Sequence, residues 1–460
     1  MSDPAGTDAG DGADVNGTDD AAHVVTAFLR HRGAMLLLRR SDAVGTYRGQ
    51  WGGVSGFAEG DPDEQVRFEI REETGLGPDA VSIVRSGRPV EFEDSDLGRT
   101  WVVHPYLFDS ERREIELSEE HDAYEWVSPT AMVDPDADQE TVPKLWTAYE
   151  RVAPTVRSIA ADDEHGAAFL SIRALEVLRD RAGLLVGERS EFGADPEGEW
   201  AELAELARRL LEARPSMAVL RNRVNRAMAE AGDDAESAGA PAVLDATLAG
   251  IDRALAADDD AAATAADRIE GSVATLSRSG TVLDALRNGA PSRVFVAESR
   301  PAGEGVDVAE ALADDCPVTL HTDAAVAHVI DREEPDRVVV GADTILPDGS
   351  VVNKTGTRTL AIAADRAGIP VSVVAATDKV STREEVNLES GDRQAVYDGP
   401  AAIDVLNPTF DVTPADCVTE FVTERGILDP GEIGTIAEEL RELETWQSDG
   451  EATDANPSTR

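Results

Sequence analysis

Three glutamates, Glu69, Glu72 and Glu73, stand three and four residues apart in the stretch WGGVSGFAEGDPDEQVRFEIREETGL, Trp51 to Leu76. On a helix that spacing puts their carboxylates on one face within a turn, where like charges repel by about 0.2–0.5 kcal/mol per pair. A bound Mg²⁺ or Mn²⁺ reverses the sign by taking carboxylate oxygens as ligands, and an ion so held can bridge phosphate oxygens and activate water against a pyrophosphate. Spacing alone is a weak signal in a chain with 91 acidic residues, because Glu438, Glu439 and Glu442 form a similar cluster with no motif around them. Glu120, in SEEHDAYEWV, is a further candidate for the same site, while His104 and His121 read as structural.

A second set of candidates is basic. Lysine occurs only at Lys144, Lys354 and Lys379, so the lysines that remain are informative. Lys354 lies in NKTGT, where Gly356 and Thr357 lead into the helical run TLAIAADRAG, and a helix N-terminus offers free N–H groups and a positive dipole end to an anion such as phosphate. Lys379 follows VSVVAAT, and Arg300 in AESRPAGEG lies just beyond another strand-like run. In open α/β sheets the crevice beyond the strand C-termini is where ligands bind. Residues 208 to 226 carry six Arg against one Glu. Intramolecular ion pairing accounts for most of these Arg, but Arg214, within ARPS, is set apart as a ligand candidate.

The elements that must position these groups follow from the pattern. Asp61 as N-cap, Pro62 at the first helical position and Glu64 at the third make a capping box for a helix reaching Thr74 and ended by Gly75. Around it, from His23 to Trp126, lie β-rich runs: HVVTAFLRH, AMLLLRR, VSIVRSGRPVEFE, RTWVVHPYLF and EWV. After Glu140 apolar spacings of three and four mark helices to about Leu286, and from Ser292 strands and helices alternate as in βαβ units on a parallel sheet. The expected organisation is an acidic disordered tail (1–21), an α+β domain (22–150), a helical subdomain (151–290), a Rossmann-like α/β subdomain with a mainly parallel sheet (291–446) and a second disordered tail (447–460).

A formal charge of -49, from 91 Asp plus Glu against 42 Lys plus Arg, is a halophilic composition. It suits molar salt, where the Debye length shrinks to about 3 Å. With no basic tail, it argues against nucleic-acid binding. No apolar run approaches the roughly 18 residues that cross a bilayer, and the N-terminal stretch has neither a basic leader nor an apolar core, so a cytoplasmic protein without membrane contact is expected. Cys316 and Cys417 are read as small buried hydrophobes rather than a disulfide framework.

The WGG turn, capped helix start and EETGL together resemble the Nudix hydrolase box, G-x5-E-x7-R-E-U-x-E-E-x-G-U, and the resemblance extends over about residues 22 to 150. It implies that Glu69, Glu72 and Glu73 bind Mg²⁺ or Mn²⁺ and act in catalysis. Gly53 and Glu59 keep the box spacing, one extra residue follows, and Phe68 stands where Arg normally precedes the first glutamate of the helix. Arg67 or Arg71 is then expected to take over that arginine's role of orienting the carboxylates, or hydrolysis is weakened.

Residues 155 to 445 resemble the family that unites the alpha, beta and delta subunits of translation initiation factor 2B with methylthioribose-1-phosphate and ribose-1,5-bisphosphate isomerases. The motifs are ARPSMAVLRN, TLSRSGTVL, VFVAESRPAGEG, VVVGAD, NKTGT, AATDK, NPTFDVTP and VTERGI. The resemblance implies a homo-oligomer, and it implies that Arg214, Asn353, Lys354 and Lys379 bind phosphate or hydroxyls of a phosphorylated sugar or nucleotide. By the same resemblance Ser279, Gly280 and Thr281 approach the ligand and Asp343 is the isomerase proton donor. Two positions depart from the isomerases: Ser277 replaces their proton-transferring Cys, and His165-Gly166-Ala167 replaces a phosphate-binding Arg-Gly-Ala turn. A hydroxyl exchanges a proton near neutrality far less readily than a thiol of pKa about 8.5. The expectation is therefore a metal-dependent Nudix hydrolase of a nucleoside diphosphate linked to another moiety, fused to a sugar-phosphate- or nucleotide-binding domain. A non-catalytic sensor and a ribose-1,5-bisphosphate isomerase are the competing readings.

Overall fold

The computed structural model describes residues 21–448 apart from 163, 233–238 and 387. The chain divides after Ala153 into two compact units, with Val133–Pro135 counted with the second. Of the two expected tails, residues 1–20 and 449–460 lie outside the described residues. Gln447, placed in the second tail, belongs instead to a 3-10 turn, Thr445–Gln447, and its side-chain amide donates to Asn225 Oδ1 at 2.8 Å.

The first unit is an eight-stranded mixed sheet made of β1 (Ala22–His31), β2 (Ala34–Arg40), β3 (Trp51–Gly52), β4 (Val54–Phe57), β5 (Val81–Ser86), β6 (Val90–Asp94), β7 (Arg99–Ser110) and β8 (His121–Val127). β1 pairs in parallel with β7 and antiparallel with β2 and β4. The sheet is covered on both faces, which explains why β1 is buried without a break from Val25 to Arg30. Helix α1 (Pro62–Thr74) sets Val66 and Ile70 against Val25, Ala27, Leu29 and Phe108. Helix α2 (Leu145–Glu150) sets Leu145 and Tyr149 against Phe28, Leu37 and Leu107 on the other face. The single run expected over VSIVRSGRPVEFE is two strands, because Pro89 has no N–H for a ladder and a side chain at Gly87 would strike the Arg151 backbone.

Helix α1 has the expected bounds. Asp61 caps it by accepting from Asp63 N at 3.0 Å, and the reciprocal capping box is replaced by a backbone bond from Glu64 N to Asp61 O at 3.2 Å. Gly75, in the left-handed region at φ 70°, ends it with its N–H on Arg71 O at 3.0 Å.

The second unit opens with helices α3 (Val156–Ala161), α4 (Ala167–Phe192), α5 (Pro196–Ala213), α6 (Ala218–Gly232) and the alanine-rich α7 (Ala240–Ala266), which enclose a core including Leu175, Leu178, Leu210, Val224 and Met228. Strands and helices then alternate: β9 (Ser272–Leu276), α8 (Gly280–Gly289), β10 (Arg293–Ala297), α9 (Glu304–Leu312), β11 (Val318–His321), α10 (Val326–Glu333), β12 (Arg337–Val340), β13 (Thr344–Ile345), β14 (Val351–Lys354), α11 (Thr357–Ala367), β15 (Val371–Val374), β16 (Phe410–Thr413), β17 (Glu420–Thr423), β18 (Gly426–Leu428) and α12 (Ile433–Glu442). The main sheet has the order β11-β10-β9-β12-β15-β17-β18, parallel through β17, with β18 antiparallel at the edge. β13, β14 and β16 form a separate antiparallel sheet. From β9 the chain first builds outward to β10 and β11, then returns to add β12 on the other side. The strand order therefore reverses between β9 and β12, the place where such sheets bind ligands.

Candidate functional site

In the first unit the backbone of β4 runs over α1. Glu73, only 3% exposed, accepts from Ser55 N at 3.1 Å. Glu69, half-buried, accepts from Gln65 Nε2 at 2.5 Å and lies against Gly56, where any Cβ would overlap its carboxylate. Burial pushes both carboxyls up, and the charge of Glu120 raises both further, so Glu120 belongs to the same electrostatic group. Glu72 is exposed. At about 100° per residue Glu69 and Glu73 are only about 40° apart, whereas Glu72 lies about 60° to the far side of Glu69. The three thus share a face but not a depth.

Among the described residues no three His, Cys, Asp or Glu side chains converge as a metal-holding cluster. The donor set nevertheless fits a divalent cation: hard carboxylate oxygens, gathered where burial and mutual repulsion disfavour their charge. Phe68, at the box-arginine position, is 58% exposed. Neither Arg67 nor Arg71 is among the charges acting on Glu69 or Glu73; the Arg67 guanidinium lies 5.8 Å from the Phe108 ring. The cation that acts on Glu73 is Arg40, at the end of β2, where a bulge between Arg39 and Arg40 shifts the register against β8. His121 is buried and its imidazole is pushed down to about 4, chiefly by burial, as suits a neutral structural histidine.

In the second unit a cavity of about 900 Å³ opens at the switch point between β9 and β12. Ser277, Ser279, Gly280 and Thr281 line it from the end of β9 and the start of α8, and Asp343 from the end of β12. Asn353, Lys354 and Lys379 also line it, as does Arg214 on the helical side. Gly341 permits the close approach of these segments, because a Cβ there would press on Ser279. Ser277 takes a left-handed conformation at φ 58°, with its N–H on Ser299 Oγ at 2.7 Å. Ser279 caps α8 through Val282 N at 3.4 Å.

Of the basic groups expected to meet a ligand, Lys354 is paired with an acid, whereas Lys379 and Arg214 are held by backbone carbonyls. Lys354 Nζ meets Glu304 Oε1 at 2.6 Å, and Lys379 Nζ donates to Ala342 O at 2.7 Å. Asp343 is enclosed by protein except toward the cavity, and this burial raises its carboxyl pKa. Lys379 and Lys354 pull it back, while Glu389 and Glu304 raise it further. Arg214 gives Nε to Ile159 O at 3.0 Å and Nη2 to Asp162 O, so it bonds backbone carbonyls at the cavity edge rather than an acid.

Two expectations change. The N-terminus of α11 is not open to an anion, because the Asp411 carboxylate already takes Gly356 N at 2.7 Å and Arg358 N at 3.2 Å. Arg300 does not line the cavity: its side chain is 66% exposed and pairs with Glu298 at 3.1 Å, and its backbone N–H donates to Asp323 Oδ2 at 2.7 Å. Residues that the sequence reading missed include Glu304, Glu389 and Arg383, all lining the cavity. Glu304 stood within AESRPAGEG and could have been found there. Glu389 and Arg383 lie in the stretch 381–406, which among its described residues forms no helix or ladder strand and holds none of the motifs quoted above.

The comparisons accord with this geometry. A family model described as Initiation factor 2 subunit family matches residues 163–430. The chain belongs to that family. A NUDIX domain, the domain type of Nudix hydrolases, matches residues 19–148. The ribose 1,5-bisphosphate isomerase of Haloferax volcanii is 32% identical over 63% of this chain and 94% of its own length. The methylthioribose-1-phosphate isomerase of Heliobacterium modesticaldum is 37% identical over 34% of this chain, which spans about half (49%) of that relative. Among solved structures, the Pyrococcus horikoshii translation initiation factor eIF-2B superposes with a TM-score of 0.51 at 28% identity, covering 61% of this chain and 98% of the other. Among the described residues no helix is long and apolar enough to cross a membrane.

Proposed function

We propose that the first unit is a metal-dependent hydrolase of a nucleoside diphosphate linked to another moiety, and that the second binds a phosphorylated sugar or nucleotide. The observation that carries the first half is the pairing of Glu69 and Glu73 against Gly56 and Ser55, two carboxyls held where their charge is costly without a cation. Glu69, Glu73 and Glu72 would hold Mg²⁺ or Mn²⁺, with Glu120 beside them. When bound, the ion supplies positive charge that bridges phosphate oxygens and lowers the pKa of water. Ser55 N fixes the Glu73 carboxylate, Gln65 fixes Glu69, and Arg40 balances part of the charge.

The second half rests on the cavity at the sheet's switch point, with Lys354, Asn353 and the start of α8 on one side and the helical wall on the other. Isomerisation is a second reading, favoured by the likeness to the Haloferax ribose 1,5-bisphosphate isomerase and by Asp343, whose raised pKa suits an acid that gives and recovers a proton. Ser277 opposes it, because the position lacks a thiol. Assembly as a homo-oligomer and a cytoplasmic, high-salt setting belong to the same proposal. Phosphorus NMR of the full chain in molar KCl with Mg²⁺ tests both halves, with ADP-ribose, nucleotide sugars, nucleoside triphosphates and ribose 1,5-bisphosphate in separate samples. The expected result is loss of a diphosphate resonance in one of the first three, abolished by Glu72→Gln with Glu73→Gln. An unchanged spectrum from folded, metal-loaded protein overturns the hydrolase.

A further inference from the structure

On the helical wall of the cavity the arginines of α6 divide into two kinds. Arg223 and Arg226 both reach the Asp378 carboxylate, at 3.3 Å and 2.9 Å. Arg221, on the same helix and 8% exposed, lines the cavity and makes a long 3.4 Å contact from Nη2 to Pro215 O. Among the described residues no carboxylate comes within ion-pairing distance of Arg221. Glu444 is the acid nearest in effect, but its Oε1 accepts from Thr382 Oγ1 at 2.7 Å. Arg383 lines the same cavity, is exposed and likewise has no ion pair among the described residues; its segment is brought to α6 by Asn222, next to Arg221, whose Nδ2 donates to Val380 O at 2.7 Å.

The backbone that carries Arg383 is held in place. Ser381 Oγ donates to Arg383 O at 2.9 Å and accepts from Arg383 N at 3.0 Å, and Arg441 Nη2 donates to Thr382 O at 3.1 Å. Burying a guanidinium without an acid is costly, and facing it with a second is more so. In a chain with 91 acidic residues carboxylates are plentiful, yet among the described residues none forms an ion pair with either arginine. Burial, with the charge of Arg383, lowers the Arg221 pKa, the same imbalance seen from Arg221 itself. Guanidinium forks match the paired oxygens of a phosphoryl group, and a dianion between two of them removes the repulsion.

We propose that Arg221 and Arg383 form an anion subsite for a phosphoryl group on the helical wall, separate from Lys354, Asn353 and the start of α8. It selects ligands with an anionic group at each end over those with one. This rests on the ligand-binding reading of the second unit.

Calorimetric titration of the full chain in molar KCl tests it, with ribose 1,5-bisphosphate and ribose 5-phosphate as ligands and inorganic phosphate as a separate thermal-shift probe. The expected result is that the parent prefers the bisphosphate at least tenfold and that Arg383→Gln, an exposed position that leaves folding intact, collapses this preference. Inorganic phosphate should raise the unfolding temperature of the parent more than that of Arg383→Gln. A bisphosphate preference that survives Arg383→Gln and Arg221→Gln overturns the subsite. If neither sugar phosphate binds but phosphate stabilises the parent in an Arg383-dependent way, the subsite stands and the sugar-phosphate reading fails. If phosphate stabilisation is absent or independent of Arg383 as well, both fall.

Discussion

Gly56 and Glu69 are in such close contact that the glycine hydrogen faces the carboxylate where any side chain would overlap it. The glutamate is the flexible partner, so Gly56→Ala should fold and displace the carboxylate instead of breaking the sheet. A misplacement of about 1 Å in a catalytic group costs on the order of 10²-fold in rate. Pyrophosphatase activity of Gly56→Ala is expected to fall by that order while the unfolding temperature moves by a few degrees. Equal activity in the two proteins would remove Glu69 from the site.

Arg40, rather than an arginine on α1, is the cation acting on Glu73. Arg40→Gln is therefore expected to reduce kcat by at least tenfold and to weaken Mg²⁺ dependence, whereas Arg67→Gln and Arg71→Gln stay within about threefold of the parent. Steady-state kinetics across a Mg²⁺ series distinguishes them. The reverse ranking would return the orienting role to the helix.

How much of this was legible in the sequence depended on how far apart the partners lie. Helix α1 was readable to the residue because Asp61, Pro62 and Gly75 act locally on the backbone they bound. The cavity was readable in outline, because Lys354 and Lys379 stand out in a lysine-poor chain and the strand-helix alternation fixes which strand ends adjoin. The blocking of α11 was not readable, since Asp411 arrives from 55 residues away. Nor was the role of Arg40, which depends on a bulge, or the contrast between Arg221 and Arg223, which sit two apart on one helix, the second within reach of Asp258 and Asp378 and the first of neither.

Asp343 carries a pH prediction. Its folded pKa is raised above the ordinary aspartate value of about 3.9, so the stability it contributes is present below that value and is lost as pH rises through the folded pKa. At pH 7 to 8 the neutral variant Asp343→Asn should unfold at a higher temperature than the parent, and the gap should close as pH falls toward about 4. Thermal unfolding followed through Trp200 and Trp446, which belong to the second unit, reports it. A gap that is constant with pH would mean that Asp343 is not held in a costly charged state.

Ser277 supplies the sharpest test of the isomerase reading. It sits at the C-terminal end of β9, in a left-handed conformation that the Ser299 hydroxyl secures through the Ser277 N–H, and it lines the same cavity as Asp343 from the neighbouring parallel strand. Both groups thus line one cavity, while a serine hydroxyl at 277 holds its proton far above neutrality. Ser277→Cys changes one atom and brings the side-chain pKa to about 8.5. If the cavity retains the isomerase arrangement, this variant should turn over ribose 1,5-bisphosphate at least tenfold faster than the parent, with a rate that rises between pH 7 and 9 as the thiolate forms and that Asp343→Asn abolishes. If the variant binds the bisphosphate yet remains as slow as the parent across that range, the cavity is a binding site whose departure from catalysis extends beyond the missing thiol, and the sensor reading of the second unit gains the weight that the isomerase reading loses.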